Sequence, residues 1–167
     1  LLLLCLIAIA TGGNALKAQD KAYETPTLVN GYYEISKADH LLWFAATVNS
    51  GTAPINAVLT NDINLGNTSW TPIGSLANPY SGHFDGQGYT ISGLNINGVF
   101  SWEPTASNGT NAGLFGSINN AGIHNLTVSG SNTATVSTSM ESSSVSSGLL
   151  VGHMTDAIVY NCFANGT

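Results

Sequence analysis

Three stretches in the second half of this chain repeat one another. Gly86-Gln87-Gly88-Tyr89-Thr90-Ile91-Ser92-Gly93-Leu94-Asn95-Ile96 is the first, Ala121-Gly122-Ile123-His124-Asn125-Leu126-Thr127-Val128 the second, and Asp156-Ala157-Ile158-Val159-Tyr160-Asn161-Cys162-Phe163-Ala164 the third. A Gly-framed lead-in precedes two of them: Gly113-Leu114-Phe115-Gly116 and Gly148-Leu149-Leu150-Val151-Gly152. Gly113 and Gly148 stand 35 residues apart, Ile91 and Ile123 stand 32, and Ile123 and Val159 stand 36. A unit of this length buries its apolar side only by stacking on its neighbours, so the repeat predicts a solenoid.

Within each copy the apolar residues fall at i, i+3 and i+5: Ile91, Leu94, Ile96; Ile123, Leu126, Val128; Val159, Cys162, Ala164. That spacing is neither helical nor strictly alternating. It predicts a short strand with a bend, placing Gly93, Asn125 and Asn161 at the bend. Gly and Asn reach left-handed backbone angles at least cost. Stacked at one corner, the Asn amides are expected to hydrogen-bond from copy to copy.

Composition narrows the partners. The formal net charge is −6, with three Lys and no Arg, and charged residues make up 7% of the chain. Soluble domains average about a quarter. Phosphate recognition needs clustered Lys and Arg, so nucleic acid and anionic membrane surfaces are disfavoured. A surface built from Asn, Ser, Thr and Gly suits a β-rich extracellular protein.

Residues 1–18 read as a secretory signal peptide: an apolar run from Leu1 to Ala10, too short to span a bilayer, then a small residue at Ala18. The run lacks a starting Met and a basic segment, so the record is expected to be cut short at its front. No membrane insertion is expected after signal removal. Cys5 leaves with the signal, and Cys162 then reads as a small buried apolar residue.

Residues 19–30 read as a polar linker, and residues 31–75 as an N-terminal capping segment. Ser36 and Asp39 suggest a capping box opening a helix over about residues 37–49. Leu41, Phe44, Ala45 and Val48 lie along one face of it, and Asn49-Ser50-Gly51 ends it. Such a helix can cover the open end of a solenoid. Residues 76–167 read as the repeats, stopping part-way through a copy, so the chain is expected to be a fragment. The excursions at 97–111 and 129–147 read as loops on one side.

Gly148-Leu149-Leu150-Val151-Gly152 with Asn161-Cys162 and Gly166 resembles the GLUG motif repeat of bacterial secreted and surface proteins. Gly113-Leu114-Phe115-Gly116 with Ile123-His124-Asn125-Leu126 is a close variant. The segments Leu59-Thr60-Asn61-Asp62-Ile63-Asn64-Leu65, Trp70-Thr71-Pro72-Ile73-Gly74 and Phe84-Asp85-Gly86-Gln87-Gly88-Tyr89-Thr90-Ile91 resemble the stretch that often leads into such repeats. The resemblance covers roughly residues 32–167. Gly93-Leu94 departs from the pattern, where Asn-Cys or Asn-Leu is usual, which marks a transitional first coil. The resemblance implies an all-β fold, a right-handed parallel β-helix with an N-terminal helix-containing cap, in an adhesin-like protein secreted or held at the bacterial surface. Its implied structural residues are Gly113, Gly116, Asn125, Gly148, Gly152 and Asn161.

The residues themselves predict little chemistry. Glycoside hydrolysis needs two carboxylates about 5–10 Å apart, and Asp62, Asp85, Glu103, Glu141 and Asp156 are the available acids near the repeats. Asp85-Gly86 reads as a turn whose Asp caps its own backbone. The histidines at 40, 83, 124 and 153 have no ligand spacing; His83 and Asp85 are expected to share a face, and His124 to point outward. Asp85 is the weak candidate for a calcium ligand. No cofactor and no catalytic residue is assigned. Trp102 and Tyr80 are the candidates for exposed contact with a host or environmental glycan or protein. A non-catalytic scaffold is the leading expectation. The alternatives are the front of a β-helix enzyme acting on polysaccharide, or an accessory region of a secreted peptidase.

Overall fold

The protein is described by a computed structural model covering residues 23–51, 54–97, 99–101, 111–133, 135–137 and 146–167. The expected signal peptide, Cys5, Trp102, Glu103 and Glu141 lie outside the described residues.

Asn30 and Gly31, with φ of 50° and 85°, turn the chain between β1 (Thr27–Val29) and β2 (Tyr32–Ile35). The two strands pair antiparallel, Thr27 opposite Glu34. An Asn-Gly pair supplies the two left-handed residues that a tight hairpin needs. The expected linker therefore contains a strand.

Helix α1 (Ala38–Asn49) follows. It buries Leu41, Phe44, Ala45 and Val48, the face its spacing predicts, and His40 with them. Its start differs from the expected capping box. Lys37 holds the N-cap position with no side-chain cap, and Ser36 instead contacts His40 Nδ1 through its Oγ at 3.3 Å. The Asp39 carboxylate accepts the backbone N–H of Glu24 at 2.7 Å. The helix is held by packing more than by its cap, as is usual for helices of this length. Asn49 pins its far end, donating to Pro72 O at 3.0 Å and accepting from Gly74 N at 2.8 Å.

The remaining elements are strands. They are β3 (Asn56–Leu59), β4 (Ile63–Asn64), β5 (His83–Asp85), β6 (Thr90–Ile96), β7 (Val99–Ser101), β8 (Asn111–Ala112), β9 (Phe115–Asn119), β10 (Gly122–Asn132), β11 (Thr135–Ser137), β12 (Ser146–Ser147), β13 (Val151–Thr155) and β14 (Ile158–Gly166). The fold is thus mostly strand with one short helix among the described residues. The sheets are mixed: β1–β2 is antiparallel, and the pairs among the other strands are parallel.

One sheet runs β1-β2-β3-β5-β10, with β14 on the far side of β10 and with β4-β6 also joining β10. β9 pairs with β13, β8 with β12, and β7 with β11. Side chains line up in rows across the sheet. Tyr33, Ala57, Phe84, Ile123 and Val159 form an inner row, and Glu34, Val58, Asp85, His124 and Tyr160 an outer one. Strand side chains alternate between faces, so a shared register fixes both rows at once.

The registers correct the alignment of the first copy. Phe84, not Ile91, stands beside Ile123; Ile91 stands beside Val128, and Leu94 beside Gly130. The turn at 86–89 is longer than the bend at Asn125, and the ladder shifts between Val128 and Gly130. These two irregularities break a comparison that assumes equal spacing. Gly93 does have a left-handed φ of 65°, but it faces Asn64, whose Oδ1 a Cβ would meet at 2.7 Å.

Phe44 of α1 packs into a cluster with three further aromatic rings. Phe44 meets Tyr80 and Phe84 edge-on at 5.6 and 5.8 Å, and Phe115 packs against both at 5.4 Å. Such contacts add to the area these large side chains bury. Burial thins toward β14. Leu126 is buried while Cys162 beside it is half-buried, and Ile158, Tyr160, Phe163 and Met154 are exposed.

Candidate functional site

Beside the outer row runs a column of polar side chains that ends on its Asp85. Asn161 Nδ2 donates to Asn125 Oδ1 at 2.7 Å, and Asn125 Nδ2 donates to Asp85 Oδ1 at 3.0 Å. Asn125 and Asn161 have φ of 55° and 50°. That conformation interrupts the strand pairing between His124 and Leu126 and turns both side chains into one column. An amide carries donor and acceptor together, so it passes the chain of bonds on; a carboxylate only accepts, so Asp85 ends it.

Asp85 Oδ1 also accepts the backbone N–H of Gln87 at 2.9 Å and lies 3.2 Å from His124 Nδ1. That oxygen therefore accepts two hydrogen bonds, with the His124 ring close beside it. Among the described residues no cluster of three or more His, Cys, Asp or Glu gathers as metal ligands. The structure gives the candidate calcium ligand a turn-capping role.

His124 lies beside this column. It points outward, and its ring stacks on Tyr160 at 4.9 Å with the planes 16° apart. His83 and Asp85 share the outer face on either side of the buried Phe84, and a Cβ on Gly122 would strike the His83 ring at 2.7 Å. His40 is elsewhere, 3.3 Å from Glu24 Oε1. Lys37 and His40 both bond the Glu24 carboxylate and hold it below its ordinary range.

The expected structural glycines lie where backbones meet. A Cβ on Gly116 would come within 2.5 Å of Gly74 O, and one on Gly152 within 2.8 Å of Ala112 N. Gly113 and Gly148 are similarly closed by the backbone of Phe115 and Val151, at 2.6 and 2.4 Å.

Tyr80 is a correction. It was expected to be exposed, yet it is 1% exposed, lying between Phe44 and Phe115. Its bridge to Ile118 sets it at an inward position. Burial pushes its hydroxyl well above the usual phenol range, and Oη has no partner among the described residues. Trp102, the other binding candidate, lies outside the described residues.

What the sequence did not single out is a half-open cleft of about 350 Å³ beside the C-terminal end of α1. Pro54, Ile55 and Pro79 give it apolar walls, and Asn78, Asn119 and Asn120 give it amides. Asn119 is fixed by its N–H to Tyr80 O at 2.9 Å, and Asn120 by its N–H to Thr155 O at 3.1 Å. The Asn119-Asn120 pair at a strand end was the available signal, but adjacent Asn residues equally mark a turn.

No family model matches the chain, and no solved structure matches it. A protein of Evansella cellulosilytica named "Putative Gly-rich membrane protein" is 38% identical to it over 73 residues. The match covers 43% of this chain and 8% of that protein. No helix among the described residues is long and apolar enough to cross a membrane.

Proposed function

We propose that this chain is the helix-capped start of a right-handed parallel β-helix of the GLUG-repeat kind. In this reading it is a non-catalytic, adhesin-like scaffold of a bacterial protein that is secreted or held at the cell surface. The observation that carries the reading is a near-constant step. β10 with β14, β9 with β13, and β7 with β11 each pair residues 36 apart. β8 and β12 pair residues 35 apart, and four strand pairs keeping so nearly one step is what stacked coils of similar length produce. Parallel strands joined by crossovers wind right-handed in about 98% of cases.

Three further points favour a scaffold. The repeated positions are apolar core, close-packed glycine and stacked amide. In the outer row, Asp85 spends Oδ1 on its own turn and on Asn125. The printed name of the partial relative places that protein in a membrane, which agrees with a role in the cell envelope.

Protease treatment of intact cells tests the location. A surface scaffold is expected to be cleaved from intact cells, or recovered from the medium, while a cytoplasmic marker survives. Protection until the cells are lysed would overturn it.

A further inference from the structure

We propose that the cleft beside the end of α1 is a binding site for a neutral sugar, a mono- or disaccharide unit of a surface glycan. The proposal deepens the scaffold reading by naming a site and a ligand class, and it rests on that reading only for the source of the glycan.

The lining chemistry selects the ligand. No Asp, Glu, Lys, Arg or His lines the cleft among the described residues. A charged ligand would lose its hydration there with no counter-charge in return. The polar groups are amides, and an amide offers a donor and an acceptor side by side, as a hydroxyl does. The side chains of Asn119 and Asn120 make no hydrogen bond within the described residues and are exposed. Among the described residues nothing competes with a ligand for them. Asn78 spends Nδ2 on Asn49 O at 3.1 Å, which orients its remaining carbonyl oxygen. Pro54, Ile55 and Pro79 supply the apolar surface on which the C–H face of a sugar ring rests. The volume, about 350 Å³, falls at the small end of the roughly 300–1,000 Å³ typical of ligand sites.

The site is also rigidly placed. Two backbone hydrogen bonds fix Asn119 and Asn120, and Asn49 ties the end of α1 to Pro72 and Gly74. A preformed site loses less ordering free energy on binding than a mobile one.

Titration of isotope-labelled protein, followed by NMR, tests this. The probes are cellobiose, maltose and lactose, a uronic-acid disaccharide, and glycerol. Saturable shifts of the Asn119 and Asn120 side-chain amides are expected with at least one neutral disaccharide, and none with the acidic sugar or with glycerol at equal concentration. Asn119→Ala combined with Asn120→Gly is expected to weaken binding at least roughly tenfold. Gly suits the second site because Asn120 has a φ of 52°. If the pair lowers the melting temperature, Asn119→Ala alone carries the same expectation in direction.

No saturable shift with any neutral disaccharide overturns the proposal. So does equal response to glycerol or to the acidic sugar, or undiminished binding in the variants. Failure here leaves the scaffold reading standing, because protease treatment of cells tests that independently.

Discussion

Asn161 hands its side-chain N–H to Asn125 Oδ1 across 2.7 Å, and Asn125 hands its own on to Asp85. The bond joins residues 36 apart, the same step that separates the strands carrying them. Asn125 thus has two separable duties. It accepts a left-handed backbone, and it relays a hydrogen bond. Replacing it by Leu removes both and is expected to cost roughly 1–3 kcal/mol. Asn125→Gly keeps the backbone and removes the relay, so its loss is expected to be smaller. Chemical denaturation measures both. A Leu variant as stable as the parent would show that the column carries no stability.

The glycines offer a second comparison. A Cβ on Gly116 would lie 2.5 Å from Gly74 O, and backbone cannot step aside as a side chain can. Gly116→Ala is expected to destabilise by about 1–3 kcal/mol through overpacking. Gly88 has a φ of 84° but nothing within 4 Å of its Cβ. Gly88→Ala therefore incurs the cost of the backbone angle without the collision, and is expected to lose less. Equal melting temperatures for the two variants would contradict the close packing at Gly116.

The Glu24 carboxylate is held low by Lys37 and His40. A carboxylate whose pKa is depressed on folding stabilises the fold above its ordinary range, and that contribution is lost as pH falls through the folded value. The pair is exposed, so the effect is small. Glu24→Gln is expected to flatten the fall in melting temperature on the acid side of the ordinary carboxylate range, leaving neutral-pH stability nearly unchanged. Melting curves against pH decide it.

Much of the scaffold could be read from the sequence, and for a physical reason. Leu41, Phe44, Ala45 and Val48 gave the helix because a buried face must recur at the helical period. Asn125 and Asn161 gave the bend because few residues tolerate its backbone. The failures share a cause too. Asn30-Gly31 is a hairpin signature that straddles the expected boundary between linker and capping segment, and the strands it joins are only 3 and 4 residues long. Spacing pairs Ile91 with Ile123 because a turn of unequal length is invisible to a spacing rule. The burial of Tyr80 is not legible locally, because one ring that covers it, Phe44, lies 36 residues away in sequence. The cleft needed three segments to converge, and no local pattern reports that.

The face of β14 supplies the last prediction. Among the described residues this strand pairs with β10 alone, and Ile158 and Phe163 are 67% and 66% exposed. An edge with free N–H and C=O groups and large apolar side chains is a template for another strand. The chain in isolation is therefore expected to self-associate as its concentration rises. A charge on such an edge opposes pairing, because a second strand would desolvate it. Ile158→Lys and Phe163→Lys are expected to shift the chain toward monomer in sedimentation velocity. Both side chains are already mostly in water, so the intrinsic stability of the fold should change by no more than about 0.5 kcal/mol. A parent protein that stays monomeric at high concentration would show that the edge is guarded by some other feature. A variant that associates as strongly as the parent would place the contact elsewhere on the surface.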